Sequence, residues 1–205
     1  MNTEAPEVDE RGVFVLADRA LGAVVNRIGD DQWDRPVPAD FPRRRTDQVP
    51  TMRTVVGYHA YDDAWVPDMV AGRTMDEVGR ESHGGDLLGD DPQRAFADIV
   101  DRACAAVTAL DDLDRTVHCS FGDFPARAYL WQVTMFRGLR AYDIARAIGV
   151  DPTLSPELVQ GLWAEIAPRA EEWRALGLFG PKVAVSESAP LHDRLLGLTG
   201  RDPRA

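Results

Sequence analysis

Lysine and cysteine are nearly missing from this chain. Lysine occurs once, at Lys182, against 22 arginines. The only thiols are Cys104 and Cys119, which excludes a disulfide framework as the source of stability. Cys104 lies in an apolar helical pattern and is expected in the core. Cys119 follows His118 in an expected loop, where a small buried residue is a better reading than a reactive thiol. No apolar run is long enough to span a bilayer, which excludes a membrane-spanning helix. Positive charge is also scarce. The formal net charge is -11, and a nucleic-acid backbone needs clustered cations. The one basic run, Arg43-Arg44-Arg45, sits in a proline-rich connection and reads as a solvated loop. The N-terminus, Met1-Asn2-Thr3-Glu4-Ala5-Pro6-Glu7, lacks the basic start and apolar core of a signal peptide, so the expected location is cytoplasmic. Residues 72–91 are rich in glycine, but neither GxxxxGK[ST] nor GxGxxG occurs, which excludes a phosphate loop. No GxSxG is present, and a Ser–His–Asp hydrolase is not supported.

What is present is helical periodicity. Phe14, Ala17, Leu21, Val24, Val25 and Ile28 recur at helical spacing and predict a first helix over Val8–Ile28. A long connection over residues 31–50 follows, with Trp33 and Phe41 expected to pin it to the body. A second helix is expected over Thr51–Ala71, with a kink or break at Pro67. Asp91 and Pro92 form a cap and a first-turn proline for a third helix with the face Phe96, Ile99, Val100, Ala103, Val107 and Leu110. Thr116–Phe124 reads as a short extended segment. A fourth helix runs from Pro125 to about Ile148 and stops at Gly149. Ser155-Pro156-Glu157 opens a fifth, bent at Pro168, and Leu191–Leu198 is a short last helix. The expectation is an all-α chain: a helical bundle over residues 1–150 and a C-terminal helix and extension over 151–205, packed on it as one domain.

Two helical segments place polar groups where a bundle buries apolar ones: Tyr58-His59-Ala60-Tyr61-Asp62-Asp63-Ala64-Trp65 and Phe136-Arg137-Gly138-Leu139-Arg140-Ala141-Tyr142-Asp143. Buried charge is costly unless paired, so such positions mark either a site or a structural ion pair.

Several pieces in order carry a resemblance. They are Asp31-Gln32-Trp33-Asp34-Arg35-Pro36, Trp65-Val66-Pro67-Asp68-Met69-Val70-Ala71-Gly72-Arg73-Thr74, Gly85-Asp86-Leu87-Leu88-Gly89-Asp90-Asp91-Pro92 and Leu113-Asp114-Arg115-Thr116-Val117. Tyr142-Asp143-Ile144-Ala145-Arg146-Ala147-Ile148-Gly149 and the tail from Asp193 to Pro203 complete the set. Over nearly its whole length the chain resembles the DinB-like superfamily, in the branch of mycothiol-dependent maleylpyruvate isomerases and their relatives. The resemblance implies a DinB-like four-helix bundle of up-down-down-up type. It also implies a divalent metal, often zinc, held by one histidine from the second helix and by an acid and a second histidine, four apart, from the fourth. Members that are enzymes use the metal to activate mycothiol as a cosubstrate for isomerisation or transfer.

Counting back from Trp65 and Asp143, the three ligand positions of that pattern fall on Tyr58, Phe136 and Arg140, so the metal site reads as degenerate. His59 lies one residue, about 100° of helix rotation, from the ligand position. If Tyr58 faces the bundle, Asp62 and Trp65 follow it inward. If Phe136 and Arg140 face inward, Asp143 does too. Arg140 is then expected to replace the metal's charge beside Tyr58, Asp62 and Asp143.

Three readings stand. A metal-independent binder or enzyme would take a small anionic molecule around Arg140, with Arg137, Trp65 and Asp143 in the binding set. Tyr58, Asp62, Arg140 and, as a further candidate, His59 would move protons or stabilise charge in an isomerase or transferase. A shifted zinc or other divalent-metal site would use His59 and Asp63, completed by Asp62 or His118, with a thiol cosubstrate. A non-catalytic structural or homodimerising protein would use the cluster only as a buried ion pair.

Overall fold

The structure, a computed structural model, describes residues 9–42 and 48–204. The Arg43-Arg44-Arg45 run and the acidic N-terminus lie outside the described residues. The chain divides between Pro152 and Thr153 into two compact units.

The first unit is built on four long helices. Helix α1 spans Glu10–Val25, with the Asp9 carboxylate accepting from Gly12 N. Helix α2 spans Met52–Val70 and is capped by the Thr51 hydroxyl. These caps satisfy amides that the first turn leaves without intrahelical partners. Helix α2 runs unbroken through Pro67. The proline falls in the last turn, so it removes a single hydrogen bond close to where the helix ends anyway. The polar segment after it holds a turn of helix that periodicity did not predict, α3 (Met75–Val78), closed by a Thr74/Glu77 capping box. Helix α4 spans Pro92–Thr108 on its Asp91 cap, and α5 spans Ala126–Ile148 and ends at Gly149, whose φ of +75° suits a residue without Cβ. Between α4 and α5 the expected extended segment is an antiparallel hairpin, β1 (Thr116–Cys119) and β2 (Gly122–Pro125), in the register Val117 opposite Phe124.

The apolar faces read from the sequence are the ones buried. Phe14, Ala17, Leu21 and Val25 of α1 meet Phe96, Ile99, Val100, Ala103 and Val107 of α4 in the core. Trp33 and Phe41 are buried, as expected of anchors for the connection before α2. Helix α5 lies in the most enclosed position and is buried on nearly every side. It packs along α1, α1 packs on α4, and α4 packs on α2. The fourth seam, between α2 and α5, is the loose one.

The second unit holds α6 (Pro156–Ile166) on its Ser155 cap, a tight turn at Ala167–Arg169, α7 (Ala170–Ala175) and α8 (Leu191–Leu198). Pro168 thus divides the expected fifth helix into two. Helices α6 and α8 pack together. Gly200, at φ +84°, has room for no side chain: a Cβ there would lie 2.9 Å from the Gly180 backbone. The chain is therefore an all-α helical protein with one small hairpin. No helix among the described residues is long and apolar enough to cross a membrane.

Candidate functional site

The inward faces of α2 and α5 differ from the expected ones by register. Tyr58 is 67% exposed and points away from the bundle, while His59 and Asp63 are buried. Asp62 is exposed as well. On α5, Phe136 is 38% exposed and Arg137 is 1% exposed. The polar residues buried on these two helix segments are therefore His59, Asp63, Arg137 and, as expected, Asp143. The expected Tyr58, Asp62, Arg140 cluster is not formed. Because α2 packs mainly on α4, its burial follows Val55, Val56, Ala60 and Val66, which brings His59 and Asp63 inward with them.

Arg137 is the centre of the buried charge. Its Nε lies 2.6 Å from Asp18 Oδ1 of α1. Nε and Nη2 both donate to Asp63 Oδ1 of α2. All three side chains are almost wholly out of water, and the guanidinium also faces the Phe14 ring, 5.3 Å from its centroid. One guanidinium cannot balance two buried carboxylates in a dry site. Burial accordingly pushes Asp63 up to about 6, against the pull of Arg137. Asp18 is raised well above the ordinary carboxylate range, first by burial and then by the Asp63 charge. The acids act as a coupled pair that keeps a proton, favoured on Asp18.

Arg140 has a different role. It donates from Nη1 to Pro42 O at 2.7 Å, lies 3.4 Å from Asp143 Oδ2, and covers the Phe41 ring at 4.8 Å. It clamps the connection before α2 onto α5, and Arg146 assists with an ion pair to Asp40 at 3.6 Å. Arg140 and Asp143 both belong to this clamp.

The substantial cavity lies in the loose α2–α5 seam, roofed by α3 and the hairpin turn. It measures about 240 Å³. Tyr61, Asp62, Trp65 and Met69 come from α2, Met75 from α3, and Cys119, Ser120 and Phe121 from the hairpin. Tyr129, Gln132, Val133, Phe136 and Arg137 come from α5. Of the residues expected to bind a ligand, Trp65 and Arg137 line this cavity; Arg140 and Asp143 do not. The Trp65 indole N–H is buried without a hydrogen-bond partner among the described residues, and its ring meets His83 edge-on at 4.6 Å. Burial pushes the Cys119 thiol up to about 11 and raises the Tyr129 phenol, so neither is poised as a nucleophile at neutral pH. Asp62, although exposed, is raised by desolvation against the cavity walls and lowered by Arg137.

The donors for a shifted metal site are only partly suited to one. His59 and Asp63 do share the buried face. However, Asp63 already accepts from Arg137, and burial with the Arg140 and Arg137 charges drives His59 well below its ordinary value. A divalent cation between them would meet both guanidinium charges. His118 is bonded to Asp123 across the hairpin at 2.9 Å. Among the described residues no group of three or more histidine, cysteine, aspartate or glutamate side chains is placed to hold a metal ion. The residues present therefore do not fit the metal that the resemblance implies.

Asp18 is the member that sequence reading missed. Its signal was present: it stands four residues after Phe14 and three before Leu21, inside the apolar stripe of α1. Compared with known proteins, the chain matches no family model, no curated protein and no solved structure.

Proposed function

We propose that this chain is a DinB-like helical bundle that binds a small molecule in the α2–α5 cavity without a metal. Arg137 supplies the fixed positive charge that a metal would supply in the family it resembles. The observation that carries this reading is that Arg137, buried between Asp18 and Asp63, also forms part of the cavity wall. The charged cluster and the cavity are one site. A guanidinium tied down by two carboxylates is rigid and keeps its orientation as a ligand enters. Apolar walls with a few polar groups are the usual composition of such sites. If the site is catalytic, isomerisation or group transfer on a small molecule is the chemistry that the resemblance suggests. Asp62 is then the candidate proton carrier, because it lines the cavity and desolvation raises its carboxyl.

Chemical-shift mapping with a panel of small aromatic and aliphatic fragments tests the reading. Saturable shifts confined to the amides around Tyr61, Trp65 and Phe136 and to the Trp65 indole are expected. A panel in which every binder maps elsewhere, or in which none binds, overturns it.

A further inference from the structure

We infer that the α2–α5 cavity selects an alkylated ammonium ion over neutral or anionic molecules of the same shape. The inference deepens the small-molecule reading above and rests on it. Five aromatic side chains line the cavity: Tyr61, Trp65, Phe121, Tyr129 and Phe136. They arrive from three different elements; Trp65 and Tyr129 are buried, and Tyr61, Phe121 and Phe136 are partly exposed. Aromatic faces carry negative charge density and attract cations, most strongly where water is excluded, and quaternary ammonium groups are the ligands such enclosures favour.

Charge in the wall points the same way. Asp62 makes no hydrogen bond or ion pair with the described residues, although arginines abound in this chain. Desolvation without a bonded countercharge is the reason its carboxyl is raised, and an entering cation would supply that countercharge. Arg137, the cation among the lining residues, is already engaged by Asp18 and Asp63, whereas Asp62 is the lining carboxylate with no bonded cation. The two methionines of the wall, Met69 and Met75, offer polarizable surface to methyl groups.

Three probes that share a trimethyl head separate charge from shape: choline, 3,3-dimethyl-1-butanol and 3,3-dimethylbutanoate. Each is titrated into the full chain and followed by chemical shift at Tyr61, Trp65 and Phe136. Choline is expected to bind at least tenfold more tightly than the alcohol, with the carboxylate weakest. Asp62→Asn, a change at an exposed position that leaves the fold intact by circular dichroism, is expected to lose at least fivefold in choline affinity and nothing in alcohol affinity. If the alcohol or the carboxylate binds in the cavity as tightly as choline, the charge selection is overturned while the small-molecule reading stands. If the Asn variant binds choline unchanged, Asp62 is not the countercharge and the inference fails. If none of the three binds while fragments of the broader panel map to the cavity, cation selection is again overturned. If the panel also fails, the broader reading falls with it.

Discussion

Arg137 of α5 and Asp18 of α1 meet at 2.6 Å, and neither side chain reaches solvent. This contact, with its counterpart to Asp63, ties three of the four bundle helices together through charge. It is also a place where the bundle is easily broken, because every member depends on the other two.

Replacing Arg137 by methionine leaves two buried carboxyls with no cation. The expected loss is about 3–5 kcal/mol in chemical denaturation. Arg140→Met removes a half-buried clamp to Pro42 and is expected to cost clearly less. The triple variant Asp18→Leu, Asp63→Leu, Arg137→Met removes all three charges and is expected to recover most of the single-variant loss, since buried ion pairs are replaceable by packed apolar groups. Equal losses for Arg137→Met and Arg140→Met would show that the buried triad is not the critical charge.

The acid pair gives stability a defined pH slope. Asp63 is raised from its ordinary 3.8 to about 6, so the folded state holds a proton that the unfolded chain releases. Its contribution is fully present below about 3.8 and is lost as pH rises through about 6. The Asp18 carboxyl is raised well above 3.8 as well, so its contribution is likewise lost as pH rises. Asp18→Asn mimics the protonated acid. Unfolding curves from pH 4 to 8 are expected to show this variant gaining on the parent as pH rises. A constant difference across that range would contradict a proton held by the pair.

His59 has the opposite sign. Burial and two arginines hold it well below 6.5, so the unfolded chain takes up a proton that the folded chain refuses. Its contribution is present above about 6.5 and falls away as the pH drops below that value. His59→Leu is expected to be less acid-sensitive than the parent between pH 6.5 and 5. An unchanged acid limb would mean that His59 reaches water.

Tyr58 and Trp65 separate surface from core on one helix. Tyr58→Ala is expected to change stability by no more than about 0.5 kcal/mol, because the ring is 67% exposed. Trp65→Ala is expected to cost about 3–5 kcal/mol, as for other large buried side chains. Thermal unfolding of the two proteins checks the register directly, since an inward Tyr58 would reverse the order.

Gly200→Ala tests the second unit. A Cβ there meets the Gly180 backbone at 2.9 Å and sits on a φ of +84°. A loss above about 1 kcal/mol is expected, with hydrogen exchange accelerated in residues 180–200.

The helices were legible wherever burial falls on one side. The α1 and α4 stripes, the Asp91 cap of α4 and the stop at Gly149 follow from the spacing of apolar residues and the chemistry of helix ends. The site was legible as two segments and not as a set of contacts. Helix α5 is enclosed on most sides, so its sequence has no stripe from which to read direction, and Arg137 and Arg140 look equivalent. On α2, Tyr58 and Trp65 suggest a face that only packing against α4 rules out. Transferring ligand positions by resemblance then chose Tyr58, one residue from buried His59, and Arg140, three residues from buried Arg137. The expected guanidinium beside buried carboxylates is present, but it belongs to Arg137 and not to Arg140. Asp18 needed attention to an acid inside an apolar stripe.

The looseness of the α2–α5 seam has an evolutionary consequence. The tight seams on either side of α1 and α4 carry folding, while Tyr61, Phe121 and Phe136 stand partly in water at the open one. Changes at those three positions cost little of the margin that keeps the chain folded, yet each redraws what the cavity admits. Selection can therefore reshape the cavity without renegotiating the bundle.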